Sequence, residues 1–420
     1  MPRIEKDSFG EVLIPDNVYW GSQTQRAIEN FKISNLLLPS SFIKALAIIK
    51  RCCARANMSL KLLPPDICEI ISKVCDEIID GRYEDNFKID VFQTGSATST
   101  NMNMNEVIST RCNELITGIR QTKNPIHPND HVNLGQSSND VIPSTIRLSA
   151  ILEITSSLIP TLESLCKGID ELITRQGHII KTGRTHLMDA VPITFGQEFS
   201  GWLAQIRYGI DRIKDCLVRL SEVPLGGTAV GTGLNSHKEF PHLVTQELSC
   251  YTGISIRPCQ NRFEAQASMD IAVELSGQLK TISTSLFKIA SDIRLMNSGP
   301  ICGLNEIKIR SLQYGSSIMP AKVNPVIPEA VRMACAKVLG NDTTITFSGS
   351  CGEFELNSML PVIAYCLLES ITILTGATRS LNELVIKDLT INEDAINQKA
   401  LQNPILGTAL VPITGYDKAR

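Results

Sequence analysis

Apolar residues recur every three or four positions through much of this chain, but hardly at all in its first forty residues. Ile151, Leu152, Leu158, Ile159, Leu162, Leu165, Cys166, Ile169, Leu172 and Ile173 fall along one stripe of a helix. Pro160 within that stripe predicts a kink rather than an end. The same spacing predicts helices over about Gly196 to Leu220, Ala265 to Met296, Pro328 to Leu339 and Asn357 to Leu384. An earlier helix, about Ser41 to Leu62, stops before Pro64 and Pro65. The opening forty residues are rich in Asp, Gly, Pro and Asn and predict loops and short turns.

Helices of roughly thirty residues are about 45 Å long, and ones this apolar need neighbours or a second copy to cover their faces. The pattern predicts a mainly α fold built as a long-helix bundle. Three parts are expected: a mixed and helical N-terminal domain over 1–139, a central long-helix domain over 140–395, and the start of a C-terminal domain over 396–420.

Composition narrows the function. The net charge of −3 gives no basic field for nucleic acid, so any anionic substrate must be held by local groups. Thirteen cysteines, including adjacent Cys52 and Cys53, lack Cys-x-x-Cys pairs, which argues against a disulfide framework or a zinc site. Glu5 and Asp7 sit where a signal sequence would be apolar, and no uninterrupted run of about eighteen apolar residues occurs. The expectation is a reduced, cytoplasmic protein with neither a membrane nor a nucleic-acid partner.

Candidate chemistry lies in five polar segments. Gly315-Ser316-Ser317-Ile318-Met319-Pro320-Ala321-Lys322-Val323-Asn324-Pro325 combines small residues, hydroxyls, an amide and a cation, a mixture suited to an anion and to proton movement. Gln93 to Glu106 crowds hydroxyls and amides before an apolar stretch, including Ser96 and Thr98. Gly135-Gln136-Ser137-Ser138-Asn139-Asp140 precedes a long helix and places donors near its N-terminus. Gly183 to Pro192 sets His186 beside Arg184, Thr185 and Asp189. His127-Pro128-Asn129-Asp130, taken by its residues alone, reads as a Pro-Asn-Asp turn.

The first of these segments matches throughout the pattern Gly-Ser-x-x-Met-x-x-Lys-x-Asn, and in this it resembles the signature loop of the fumarase/aspartase superfamily. That resemblance implies an enzyme that makes or breaks a C–O or C–N bond beta to a carboxylate, with Ser316 as the base. It implies further that Ser96, Thr98, Ser137, Ser138, Asn139, Thr185, Ser317 and Asn324 contact substrate and that Lys322 stabilises charge. His186 would pair with Glu329, and His127, Asn129 and Asp130 would form a second anion site near the entrance. It implies no cofactor and no metal. The central helices would join the core of a homotetramer, with each active site built from three subunits.

The likeness runs from Arg3-Ile4-Glu5-Lys6-Asp7 to Gly415-Tyr416-Asp417-Lys418-Ala419. Within the superfamily the chain resembles the class II fumarases in Gln93-Thr94-Gly95-Ser96, in Gly226 to Asn235, in Phe354-Glu355-Leu356-Asn357 and above all in His186, where aspartate ammonia-lyases usually have glutamine. Fumarate hydration to (S)-malate is the implied reaction. Met319 to Glu329 and Gly340 to Thr344 look more like aspartase, so aspartate deamination stays open, as does a structural or binding role without catalysis. Two departures stand out. Asn124 occupies a position that is often basic in relatives, and Leu410 to Tyr416 differs from the usual lead into a C-terminal domain, most of which is expected to be missing here.

Overall fold

The computed structural model describes residues 2–419. With 61% of the chain helical, the fold is mainly α. The opening residues are more ordered than their composition predicts: strands β1 (Arg3–Asp7) and β2 (Gly10–Ile14) form an antiparallel hairpin, and helix α1 (Ser22–Asn30) follows. The helix escapes a hydrophobic pattern because its buried residues are Ser22, Thr24 and Ala27. Its start is fixed from far along the chain. The buried Glu106 carboxylate accepts hydrogen bonds from the N–H groups of Gly21, Gln23 and Thr24 at 2.9, 3.0 and 3.1 Å.

Next come α2 (Ser40–Ser59), α3 (Pro65–Ile79) and α4 (Thr98–Thr117). The stripe around Pro160 resolves into α5 (Ser138–Glu153), a π-helical turn over Ile154–Leu158, and α6 (Ile159–Gln176). Proline has no N–H to donate, and the widened turn just before it absorbs that loss without ending the helix. Hairpin β3 (Ile180–Thr185) and β4 (Met188–Thr194) leads into α7 (Phe195–Leu220). The short β5 (Glu222–Val223) pairs in parallel with β6 (Arg257–Pro258), on either side of α8 (Phe240–Thr252).

The helix expected over Ala265 to Met296 is two helices, α9 (Arg262–Ala267) and α10 (Asp270–Met296). Ser268 adopts an extended backbone between them, and its hydroxyl accepts from the Asp270 N–H at 3.2 Å, starting the second. After β7 (Ile307–Lys308), α11 (Val326–Gly349) is longer than predicted at both ends, since Pro328 sits in its first turn, where no donor is needed. Hairpin β8 (Gly352–Glu353) and β9 (Leu356–Asn357), helix α12 (Leu360–Leu381), strand β10 (Thr390–Ile391) and α13 (Glu393–Ala400) follow.

The chain packs into two compact units. The first comprises 1–155, 214–277 and 340–371, and the second 156–213, 278–339 and 372–420. The boundary expected at 139/140 falls in the first turn of α5. In the first unit the core centres on Phe42, Leu46 and Ile49 of α2 and Ile71 and Ile78 of α3, all fully buried. The α10 and α11 segments of that unit are joined by the Ser276 hydroxyl, which donates to the Asp342 carboxylate at 2.9 Å.

In the second unit the rings of Phe195 and Phe199 lie 5.4 Å apart, and those of Phe199 and Trp202 4.8 Å. Gly209 of α7 lets α10 come close, since a Cβ there would stand 2.7 Å from Ile282 Cγ1. Along the chain, Leu360–Ile386 is long and apolar enough to cross a membrane, with a mean hydropathy of 1.7 despite its Glu369 and Ser370. Two-thirds of that window (67%) is buried within the protein, which is how a core helix behaves.

Candidate active site

In the first unit, two helix N-termini bring hydroxyls together. Thr98 opens α4 after Ala97, a buried residue held in the left-handed region at φ 55°. Ser137 caps α5: its Oγ accepts from the Asn139 N–H at 3.2 Å, while the Asp140 carboxylate accepts from the Ser137 N–H at 2.9 Å. Ser138 follows. Its Oγ lies 2.7 Å from Thr98 Oγ1, which lies 2.7 Å from Ser96 Oγ. Three hydroxyls own three protons, and their two mutual bonds use two, so the cluster keeps a donor for an anion at positively polarised helix ends.

Contacts that residue order does not disclose hold this cluster. Asp140 Oδ2 accepts from the N–H groups of Gly226 and Thr228 at 3.0 and 2.9 Å, tying the start of α5 to the Gly226–Asn235 loop. Burial pushes the Asp140 carboxyl up to about 6, against the pull of those backbone donors and of Lys50. Asn139 donates from Nδ2 to Ala229 O at 2.8 Å, so its amide holds the same loop. Gly95 packs against residue 358, where a Cβ would stand 2.0 Å from the Ser358 carbonyl oxygen. Leu360 N donates to Gly95 O at 3.0 Å, and Asn357 Oδ1 accepts from Met359 N at 2.8 Å, so the Phe354–Asn357 motif braces the loop bearing Ser96. The capping pair Ser137 and Asp140 was readable as Ser-x-x-Asp, but the partners at 226 and 228 were not.

His127 lies in the same unit, before a π turn over Pro128–Val132. Its Nδ1 accepts from the Asn129 and Asp130 N–H groups at 3.2 and 3.3 Å, and an Asp130 carboxylate oxygen is also 3.3 Å away. An ion pair through Nδ1 would need a proton there, whereas two N–H donors need a lone pair. The two N–H donors match a lone pair on Nδ1 and leave Nε2 facing away from them as the nitrogen open to a ligand.

In the second unit, the segment from Gly315 to Asn324 closes on itself. Gly315 N donates to Lys322 O at 2.8 Å, Asn324 Nδ2 to Gly315 O at 2.7 Å, and Lys322 N to Met319 O at 3.2 Å. Inside this ring, Ser316 Oγ accepts from the N–H groups of Ile318 and Met319 at 3.2 and 3.0 Å. Gly315 is needed for the closure, because a Cβ would stand 2.6 Å from Lys322 O and 2.8 Å from Asn324 N. Ser317 and Lys322 are exposed beside it.

Thr185 ends β3, and His186 and Leu187 form the two-residue turn to β4, with φ of 56° and 62°. Two left-handed residues match the right-handed twist of a hairpin, but neither is the Asn or Gly that such turns favour, at about 1–2 kcal/mol each. His186 is therefore presented at the tip of a backbone that costs energy to hold. Below it, the buried Glu306 carboxylate accepts from Lys181 Nζ at 2.9 Å and from the Arg184 guanidinium, and Lys181 also reaches Glu198 at 2.8 Å. Burial works to raise the Glu306 carboxyl, but the two cations outweigh it and hold it below the usual carboxylate range. Glu329 lies in the first turn of α11, 3.8 Å from Arg294. Among the described residues His186 meets no hydrogen-bond or ion-pair partner, Glu329 included.

A family model described as a lyase matches residues 10–340. The fumarate hydratase class II of Xylella fastidiosa is 50% identical over 417 residues, which is 99% of this chain and 87% of that protein. The chain belongs to the class II fumarate hydratase family. A mitochondrial fumarate hydratase of Dictyostelium discoideum is 47% identical over 420 residues, 99% of this chain and 86% of its own. A crystal structure of recombinant class II fumarase from Schistosoma mansoni superposes with a TM-score of 0.98 at 37% identity, covering 100% of this chain and 91% of that one. These likenesses place the chain with the hydratases rather than the ammonia-lyases, and identify the long-helix fold as that of the fumarases.

Proposed function

We propose that this class II fumarate hydratase interconverts fumarate and (S)-malate with Ser316 as the base. The observation that carries the assignment is the pair of backbone N–H groups on Ser316 Oγ. A serine hydroxyl is a poor base at neutral pH, and two fixed donors favour its alkoxide, which Lys322 of the same loop favours further.

In the malate direction, Ser316 Oγ takes the C3 proton and the C3–H electron pair moves into the adjacent carboxylate, giving a dianionic aci-carboxylate. Lys322 and the loop N–H groups stabilise that charge. The pair then returns to form the C2–C3 double bond as the C2–O bond breaks. The departing hydroxide takes a proton from the His186 side and leaves as water; Glu329, which does not reach His186 within one chain, would orient the ring from a neighbouring subunit. Thr98, Ser138, Ser137, Asn139 and Asn324 hold the two carboxylates, with Ser96, Thr185 and Ser317 in supporting contact. His127, Asn129 and Asp130 remain the candidate second anion site, with Nε2–H of His127 as the donor.

α11 exposes Met333 and Phe347, each at 68%, which supports a helix face covered by partner subunits and a homotetramer with shared sites. Thirteen free cysteines, most of them buried, support a reducing compartment such as the cytoplasm. The decisive measurement is absorbance in the fumarate band, with malate and then with aspartate, on wild type and Ser316→Ala. Turnover of malate that survives Ser316→Ala in an intact oligomer overturns the base assignment.

A further inference from the structure

A cation that the proposed mechanism does not use is tied by hydrogen bonds to the segment that leads into Ser137 and Ser138. Lys50, in the middle of α2, is 0% exposed. Its Nζ donates to Asn133 Oδ1 and Gln136 Oε1, both at 2.9 Å. Asn133 Oδ1 also accepts from Asn101 Nδ2 and Asn105 Nδ2, each at 3.2 Å, so one amide oxygen joins α2, α4 and the segment before α5. Seven residues along α2 from Lys50, Asn57 Nδ2 donates to Leu134 O at 3.0 Å, gripping the same segment a second time.

Both ends of this network lead to the anion site. Asn101 lies three residues after Thr98 on α4, and Gln136 immediately precedes Ser137 and Ser138. The partners of the ammonium are neutral oxygens, so its charge is not cancelled by a contacting carboxylate. Asp140 acts on it only through space and is itself satisfied by the N–H groups of Ser137, Gly226 and Thr228. Burial without a contacting anion pushes the Lys50 ammonium down to about 8. A fully buried cation held by neutral groups is costly for stability alone, since an apolar side chain of similar shape would fill the space at less expense. Linked through Asn133 and Gln136 to the helix starts that carry Thr98 and Ser138, such a charge attracts a carboxylate.

We propose that Lys50 is a positioning residue for the substrate carboxylate: through Asn133 and Gln136 it sets Thr98 against Ser138, and its charge draws the anion to them. The inference rests on Thr98 and Ser138 being carboxylate ligands. The test compares Lys50→Met with Thr98→Val and Ser138→Ala, measuring kcat, KM for fumarate, and calorimetric affinity for succinate, which binds but cannot react.

Lys50→Met is expected to raise KM and the succinate Kd about ten- to hundredfold, the range of lost charge-assisted hydrogen bonds, while kcat changes less than about threefold. The double variant Lys50→Met/Gln136→Met should lose less than the sum of the single losses, since both act through one contact. If the hydroxyl variants weaken succinate and Lys50→Met does not, the role given to Lys50 is overturned and the site assignment stands. Should neither weaken it, the carboxylate assignment itself fails, and Lys50 with it. Where Lys50→Met does not assemble, Gln136→Met decides, with an unchanged KM counting against the proposal.

Discussion

Thr98 and Ser138, forty residues apart in sequence, place their hydroxyl oxygens 2.7 Å from each other at the starts of two helices. Thr98→Val keeps the shape and removes the shared hydroxyl. It should raise KM for fumarate about tenfold, the effect of one lost hydrogen bond to a charged group, and shift the melting temperature by only a few degrees. Steady-state kinetics together with calorimetry check both parts.

Ser316→Ala should lower kcat at least about a hundredfold with little change in KM, as expected for a group that acts in proton transfer. Lys322→Ala should lower kcat by a similar factor, through lost charge stabilisation. Stopped-flow absorbance in the fumarate band gives the rate, and sedimentation confirms that assembly is intact.

Gly315→Ala tests the closed loop without touching a reactive group. The added methyl meets Lys322 O and Asn324 N and must open the ring of bonds around Ser316. Turnover should fall about ten- to a hundredfold, the scale of a reacting group misplaced by about 1 Å. The global melting temperature should hardly move, because the loop is largely exposed. Unchanged kcat would show that the loop geometry does not govern the base.

The Glu306 network predicts acid sensitivity. A carboxyl whose folded pKa is depressed contributes its full stability above its unfolded pKa and loses it as pH falls through the folded value. Glu306→Gln should therefore cost about 3 kcal/mol near pH 7, since it leaves buried Lys181 short of one anion, and progressively less toward strong acid. Urea melts of wild type and variant at several pH values should converge on the acid side. Curves that stay parallel throughout would rule out this carboxylate as the source.

The long helices were legible because burial of one face imposes a three-to-four-residue period, and α7 begins and ends within a residue of its prediction. What escaped the pattern was structure held by polar contacts from afar. Helix α1 depends on Glu106, and the break before α10 depends on the single hydroxyl of Ser268. The same division runs through the site. Ser316 and Thr98 stand out by residue type and order, whereas nothing in the sequence around Lys50 singles it out. Only three-dimensional placement pairs it with Asn133 and Gln136. Nor does residue order disclose that Ser316 sits under two N–H donors, since that depends on the backbone path of a loop.

That loop ties its own ends together, from Gly315 to Lys322 and Asn324. A segment closed in this way fixes the Ser316 hydroxyl and the backbone of Lys322 in one arrangement, so any displacement carries both together. Holding such a piece against a bound molecule freezes few additional torsions, fewer than an open loop of the same length would lose.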